Sequence, residues 1–140
     1  MRLKLLPIVL GAGASLLAAT PAFAAGTIFG RWITDDRSAI VRIDRCGGQL
    51  CGTVERVLNP RAPAYDVNNP DPVRRTRPLV GTMVLHGFSG SGSAWTGGQA
   101  YDPKAGRSYR SRLRLESDSQ LRVTGCISFI CRSMTWTRAS

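Results

Sequence analysis

The chain has few of the residues on which most catalytic and metal-binding sites depend. His86 is the only histidine, and nine acidic side chains stand against 19 basic ones. No stretch forms a G-x-S-x-G motif, and Asp35 and Asp36 point to opposite sides of an extended chain, which prevents them from sharing a proton. These shortages favour a non-catalytic protein, and no cofactor or metal is predicted. His86 shares a strand face with Val84 and Phe88, which predicts a packed or hydrogen-bonded core histidine.

Helical periodicity is nearly absent from residues 25–140, and period-two alternation takes its place. In 108–116, Tyr109 and Leu113 share one face while arginines occupy the other. The connectors are rich in glycine, proline and Asx residues, which suits antiparallel hairpins. Eight strands with one apolar face close most economically into an antiparallel up-and-down barrel, and a two-sheet β-sandwich is the alternative. The predicted strands are 29–34, 39–44, 52–58, 79–88, 93–102, 108–116, 120–125 and 132–138.

Long apolar runs are missing except near the beginning of the chain. Arg2 and Lys4 precede a glycine-broken apolar run that ends in the small residues of "PAFA". This pattern is typical of a signal peptide, and the run is shorter than the roughly 20 residues that a bilayer span needs. We predict a signal peptide at 1–24 cleaved near Ala24, a single domain at 25–140, and a periplasmic or secreted protein that does not span the membrane.

Lysine is almost missing from the predicted mature chain, where Lys104 is the only one. Loss of Arg2 and Lys4 reduces the 19 basic side chains to 17, against nine acidic ones. The guanidinium fork of arginine pairs bidentately with carboxylate or phosphate. The excess is explained either by a solvated face or by contact with anionic components of the cell envelope. Nucleic acid is not expected, because aromatic residues do not alternate with the basic ones to form a stacking platform.

The four cysteines occur as two pairs, and each pair brackets four residues. An even count suits a disulfide-bonded protein in an oxidising compartment. The spacing predicts local bridges between Cys46 and Cys51 and between Cys126 and Cys131, although the sequence leaves crossed pairings open. Zinc is not predicted, because the C-x4-C spacing is wide for zinc knuckles.

Four blocks of the chain occur in a specific order. They are "GRWITDD", "YDVNNPDPVRRTRPLVG", "WTGGQAYDPKAGRSY" and "CRSMTWTR". Together they resemble a family of exported bacterial proteins known as domain of unknown function 2147 (DUF2147), and the resemblance extends over nearly all of residues 25–140. The family is similar to lipocalins in fold, and the resemblance implies no assigned activity.

The similarity to lipocalins implies a contact that closes the barrel. Lipocalins have a G-x-W near the start of the first strand, matched here by Gly30 and Trp32, and a late arginine over the tryptophan, matched by Arg138. Because Trp136 and Arg138 share a strand face, Arg138 points inward if Trp136 does. We expect its guanidinium to lie over the Trp32 ring as a structural contact.

The connector at 59–78 is far longer than a hairpin turn, and connections of this length tend to be lids or disordered. Its five prolines restrict φ and argue against disorder, while its Asx side chains and arginines offer one another hydrogen bonds. Either the polar groups of the connector therefore form hydrogen bonds with one another, or the connector folds over the barrel mouth to contact a ligand. The candidate ligand-binding residues are Tyr65, Asp66, Asn68, Asn69, Asp71, Arg74, Arg75 and Arg77.

Two functions follow as expectations. The first is non-catalytic binding of an unknown small molecule or lipid, apolar or with an anionic head, at the barrel mouth. The second is an envelope interaction through an arginine-rich outer face, in which arginines on neighbouring strands extend the stripe of 108–116. The residues of that face are Arg42, Arg110, Arg112, Arg114 and Arg122.

Overall fold

A computed structural model of the chain describes residues 10–18 and 26–140; the predicted cleavage position near Ala24 lies outside them. Eight antiparallel strands form a closed barrel in sequence order, which confirms the up-and-down barrel and makes the β-sandwich alternative wrong. A 3-10 helix, Pro72–Thr76, lies in the connector between β3 and β4. The strands are β1 Gly30–Ile33, β2 Ala39–Cys46, β3 Gln49–Val57, β4 Met83–Ser91, β5 Ala94–Asp102, β6 Arg107–Ser117, β7 Gln120–Ile127 and β8 Ile130–Arg138.

The period-two pattern of the sequence corresponds to the two faces of the barrel wall. On β6, Ser111 and Leu113 are buried while Arg110, Arg112 and Arg114 are exposed. Inward residues of the other strands complete one apolar core, because every strand contributes one side of its pleat to the interior. Its largest fully buried members are Trp32, Trp95, Phe88, Ile28, Ile43, Leu50, Leu85, Leu113 and Leu121.

Strand β4 departs from the prediction at both of its ends and in its middle. Residues 79–82 form a turn, with Gly81 at φ 94°. Gly87 has φ 77° and lies where the pairing register of β4 with β3 shifts, so Leu85 and Phe88 both point inward although they are three residues apart. The predicted core position of His86 is therefore wrong, since the interrupted alternation leaves His86 exposed.

One end of the barrel, called here the closed end, is sealed by residues 26–29 and by the predicted contact between Arg138 and Trp32. The guanidinium carbon of Arg138 lies 4.2 Å from the centroid of the Trp32 ring. The same guanidinium donates to the carbonyl oxygens of Phe29 at 3.1 Å and of Thr27 at 2.5 Å, and also to that of Asp118. Arg138 thus joins the last strand to the segment that precedes the first strand, which confirms the predicted barrel-closing role.

Both disulfides form within hairpins, as the spacing predicted. Cys46 and Cys51 join the ends of β2 and β3 next to the turn at the closed end. Cys126 and Cys131 lie directly opposite each other on β7 and β8, next to a turn at the other end of the barrel. Each bridge closes a loop that is already short, so it stabilises a hairpin by roughly 2 kcal/mol in the chain-entropy account.

Candidate functional site

The barrel interior is divided into a filled half and a hollow half. The end opposite the closed end, called here the open end, carries the connections at 34–38, 58–82, 103–106 and 128–129. A cavity of about 490 Å³ extends from this end into the barrel. This volume lies within the range of roughly 300–1,000 Å³ that is typical of small-molecule sites.

The deep wall of the cavity is apolar. It consists of inward side chains from β2, β3, β4, β7 and β8, and two partly exposed residues, Tyr109 and Met134, continue it toward the opening. Met134 is accessible because β8 is much longer than β1 and pairs with it at only two positions in the described part of the chain. The buried apolar residues of the wall are Val41, Val54, Val84, Leu85, Val123 and Trp136.

The rim of the cavity is polar and carries charges of both signs. Lys104 forms an ion pair with Asp36, and this pair links the turn between β5 and β6 to the turn between β1 and β2. Arg61 is the second cation on the rim, and it takes part in no ion pair within residues 26–140. Asp35 and Asp102 add two further carboxylates. A ligand that filled the apolar interior would therefore present its outer end to a mixed polar rim.

The long connector is held against the barrel by a buried carboxylate. Asp66 is 2% exposed, and its Oδ1 accepts a hydrogen bond of 2.7 Å from the hydroxyl of Tyr101 on β5. Its Oδ2 accepts a second bond, also of 2.7 Å, from Nδ2 of Asn69. Burial, together with the hydrogen bond and the negative charge of Asp66, raises the pKa of Tyr101 well above its ordinary value. Tyr101 therefore remains a hydrogen-bond donor throughout the neutral pH range.

Further bonds within the connector satisfy its polar groups locally. Nε of Arg75 donates to the carbonyl of Asn69 at 2.7 Å, and the carboxylate of Asp71 accepts the backbone N–H of Val73 at 3.0 Å to cap the 3-10 helix. Asn68 donates across to the carbonyl of Lys104 at 3.1 Å. Within the described residues, every buried side-chain nitrogen and oxygen has a partner. The connector is thus an ordered loop whose polar groups are held by hydrogen bonds, most of them within the loop. It also covers part of the cavity.

The eight predicted ligand-binding residues fall into three groups. Tyr65 and Asn68 line the cavity. Asp66 and Asn69 lie behind the wall as the buried support just described. The remaining four, which include all three arginines, are exposed and do not contribute to the cavity lining; they are Asp71, Arg74, Arg75 and Arg77.

Sequence reasoning missed the cations that do line the cavity, Arg61 and Lys104, and most of its apolar wall. The wall could have been found from alternation alone, because residues such as Val41 and Val123 occupy inward positions of predicted strands. Arg61 carries no such signal. Its place on the rim depends on how the connector folds back over the barrel, which leaves no periodic trace in the sequence.

The arginine face is a second surface of interest. Arg110, Arg112 and Arg114 follow one another along the outer side of β6, and Arg122 on β7 is the register partner of Arg114. Arg42 lies on β2, which is not a neighbour of β6, and pairs with Asp44 at 3.2 Å. The prediction that Arg42 extends this stripe is therefore wrong, because the barrel places β2 on another side.

The described residues hold neither a metal-binding cluster nor a membrane-spanning helix. Among residues 10–18 and 26–140, no three His, Cys, Asp or Glu side chains come together in a way that would hold a metal ion. The same residues contain no helix with the length and apolar character needed to cross a bilayer.

Comparison with known proteins places this barrel in a family. A solved structure described as protein HP1028 from the human pathogen Helicobacter pylori, which belongs to the lipocalin family, is similar in fold with a TM-score of 0.73. The two chains are 22% identical over 82% of this chain and 84% of that one. A comparison with curated proteins gives no match. The family described as "uncharacterized protein conserved in bacteria (DUF2147)" matches residues 30–138, and this chain, a lipocalin-like barrel, belongs to it.

Proposed function

We propose that this protein binds a small molecule with an apolar body in the open-end cavity and does so outside the cytoplasm. The observation that carries the proposal is the hollow half of the barrel, about 490 Å³ with an apolar deep wall. Water in an apolar space of this size finds few hydrogen-bond partners. Replacing that water with an apolar group therefore lowers the free energy of the complex. Eight-stranded barrels are just wide enough to hold one such ligand.

The proposed ligand has a polar or anionic head that reaches the rim. Arg61 supports this part of the proposal, because it is a rim cation without an acidic partner in the described part of the chain. Lys104 contributes less, since Asp36 already neutralises it. Tyr65 and Asn68 offer a hydroxyl and an amide at the same rim. An anionic head would pair with the guanidinium, while a neutral head would use the hydroxyl and amide alone.

The extracytoplasmic location is part of the proposal. Two disulfides in a barrel of this size suit an oxidising compartment, because the reducing cytoplasm disfavours structural disulfides. The basic start of the chain and the small residues before Ala25 fit a cleaved signal peptide. N-terminal sequencing of the protein recovered from a periplasmic extract tests this point, and a retained Met1 would contradict it.

The ligand proposal is tested by competition. The fluorescence of 1-anilinonaphthalene-8-sulfonate in the cavity reports displacement by decanoate, 1-decanol and decylamine, which share one chain and differ in the head. We expect Ala100→Phe, which fills the cavity, to weaken decanoate binding at least about tenfold. Ala94→Phe, on the same strand but at the closed end, is the matched control and should change nothing.

The head group is tested by Arg61→Gln. If the head is anionic, this change weakens decanoate binding by about tenfold and leaves 1-decanol binding unaltered. Equal binding of decanoate by the Ala100→Phe and Ala94→Phe variants would show that the cavity is not the site. Native mass spectrometry of protein purified from its own cells adds an independent check, because a co-purifying molecule reveals its class directly.

A second candidate function is contact between the arginine face and an anionic component of the cell envelope. It is favoured by Arg110, Arg112 and Arg114, which are exposed, adjacent and without an ion pair in residues 26–140. Binding to anionic vesicles that weakens in the Arg112→Gln, Arg114→Gln double variant and falls with rising salt supports it. If neither the double variant nor rising salt weakens vesicle binding, this second candidate function is wrong.

A further inference from the structure

The turn between β7 and β8 carries a cluster of exposed apolar side chains. Ile127 is 57% exposed, Phe129 99% and Ile130 75%. Single exposed apolar residues are ordinary on protein surfaces, but three large ones within four consecutive positions form a patch that points to a partner. We call residues 127–130 the apolar tip.

A disulfide fixes the apolar tip in place. Cys126 and Cys131 are directly opposite each other, and the next pair along the hairpin is Ile127 with Ile130. The two residues between them form the turn, so Phe129 projects from the end of a cross-linked hairpin. A segment that is already ordered loses little conformational entropy when it meets a partner, which favours binding.

Two basic side chains lie at the base of the apolar tip. Arg110 is the register partner of Cys126, and Arg132 is that of Gly125, so both lie at the base of the tip. Both arginines are exposed, and neither has an ion pair within residues 26–140. The hairpin from Gln120 to Arg138 contains no acidic residue. An apolar projection above basic side chains is complementary to a lipid surface with anionic head groups and an apolar interior.

The structure assigns the apolar tip to an anionic lipid bilayer, into whose interface Phe129 and Ile130 insert while Arg110 and Arg132 contact head groups. This inference deepens the second candidate function, on which it rests for the basic face, and names the part of the chain that enters the lipid. The tip lies at the open end of the barrel. Insertion would therefore turn the cavity mouth toward the membrane.

Vesicle co-sedimentation tests the inference with matched variants. The vesicles contain phosphatidylglycerol and phosphatidylcholine in equal parts, and phosphatidylcholine alone serves as the uncharged control. We expect Ile130→Ser and Phe129→Ser each to weaken binding at least about tenfold. Val73→Ser is the control, because Val73 is 72% exposed on the long connector and lies outside the tip.

A second measurement reports insertion directly. In Phe129→Trp the new indole should shift its emission to the blue and be quenched by brominated lipid, whereas the indole of Val73→Trp should not respond. Neither substitution touches the core, since both side chains are exposed. The three native tryptophans give a constant background that the difference spectrum removes.

The outcomes separate the two proposals. Binding that depends on charge but survives Phe129→Ser and Ile130→Ser overturns the role of the tip and leaves the arginine face. Absence of any vesicle binding overturns both. If the serine variants instead reduce the mass of the protein in sedimentation, the tip is an interface between copies of this chain, and the lipid assignment is wrong.

Discussion

Replacement of Tyr101 by phenylalanine tests whether the buried carboxylate of Asp66 holds the long connector on the barrel. The change removes one hydroxyl oxygen and leaves the ring in place, so it deletes the 2.7 Å hydrogen bond to Oδ1 with little change in packing. Because Asp66 is 2% exposed, its Oδ1 remains shielded from bulk water after it loses the tyrosine hydroxyl. Within residues 26–140, the bond from Asn69 to Oδ2 is then the one side-chain hydrogen bond left to this carboxylate.

The expected loss follows from leaving a buried acceptor without its donor. Such a group costs about 1–3 kcal/mol of unfolding free energy, and a charged acceptor lies toward the upper part of that range. The corresponding fall in Tm is about 4–12 °C for a domain of this size. Urea unfolding with the disulfides intact measures the free energy, and amide exchange at Asp66 and Asn69, whose N–H groups bond within the connector, locates the loss.

The pH dependence gives a second readout with a defined sign. Because the pKa of Tyr101 is raised in the folded state, folding holds the phenolic proton more tightly than the unfolded chain does. The advantage of the wild-type protein over Tyr101→Phe is therefore complete below about pH 10, the ordinary tyrosine value, and decreases as the pH rises toward the raised pKa.

Tyr109→Phe is the matched control, because Tyr109 also lines the cavity but its hydroxyl donates no hydrogen bond within residues 26–140. This change should alter stability by less than about 0.5 kcal/mol. Equal effects of the two substitutions, or unchanged amide exchange in Tyr101→Phe, would refute the idea that Asp66 anchors the connector.

Three further changes test the closed end, the packing and the hairpins. Arg138→Lys should lower the unfolding free energy by about 2 kcal/mol, because an ammonium group cannot bond three carbonyls and cover the indole at the same time. The same change at an exposed outer arginine should leave the unfolding free energy unaltered, and equal effects of the two changes would contradict this prediction. Gly98→Ala should cost about 1–3 kcal/mol, since a Cβ there would come within 2.4 Å of a core phenylalanine ring, whereas Gly48→Ala meets nothing within 4 Å; chemical denaturation compares the two. Replacing Cys126 and Cys131 together by serine should cost roughly 2 kcal/mol in thermal unfolding and leave the barrel folded, so a change in the far-ultraviolet circular dichroism spectrum would contradict it.

The strands, their hairpin order and the preferred disulfide pairing could be predicted from the sequence because they depend on local information. Inward and outward residues alternate along each strand, turn residues mark most strand ends, and cysteines five positions apart fit across one hairpin. The contact of Trp32 with Arg138 was also within reach, because the resemblance to lipocalins supplied a long-range pairing that alternation alone could not give.

Other features were decided only by the tertiary structure, since they depend on contacts between distant parts of the chain. A glycine bulge moved His86 to the surface, and barrel closure put Arg42 on a different side from β6. Tyr101, and not an arginine of the connector, became the partner of Asp66, although 35 positions separate the two. The cavity itself arises because the inward side chains fill only the half of the barrel next to the closed end, and the balance between filled and hollow space depends on how all eight strands pack together.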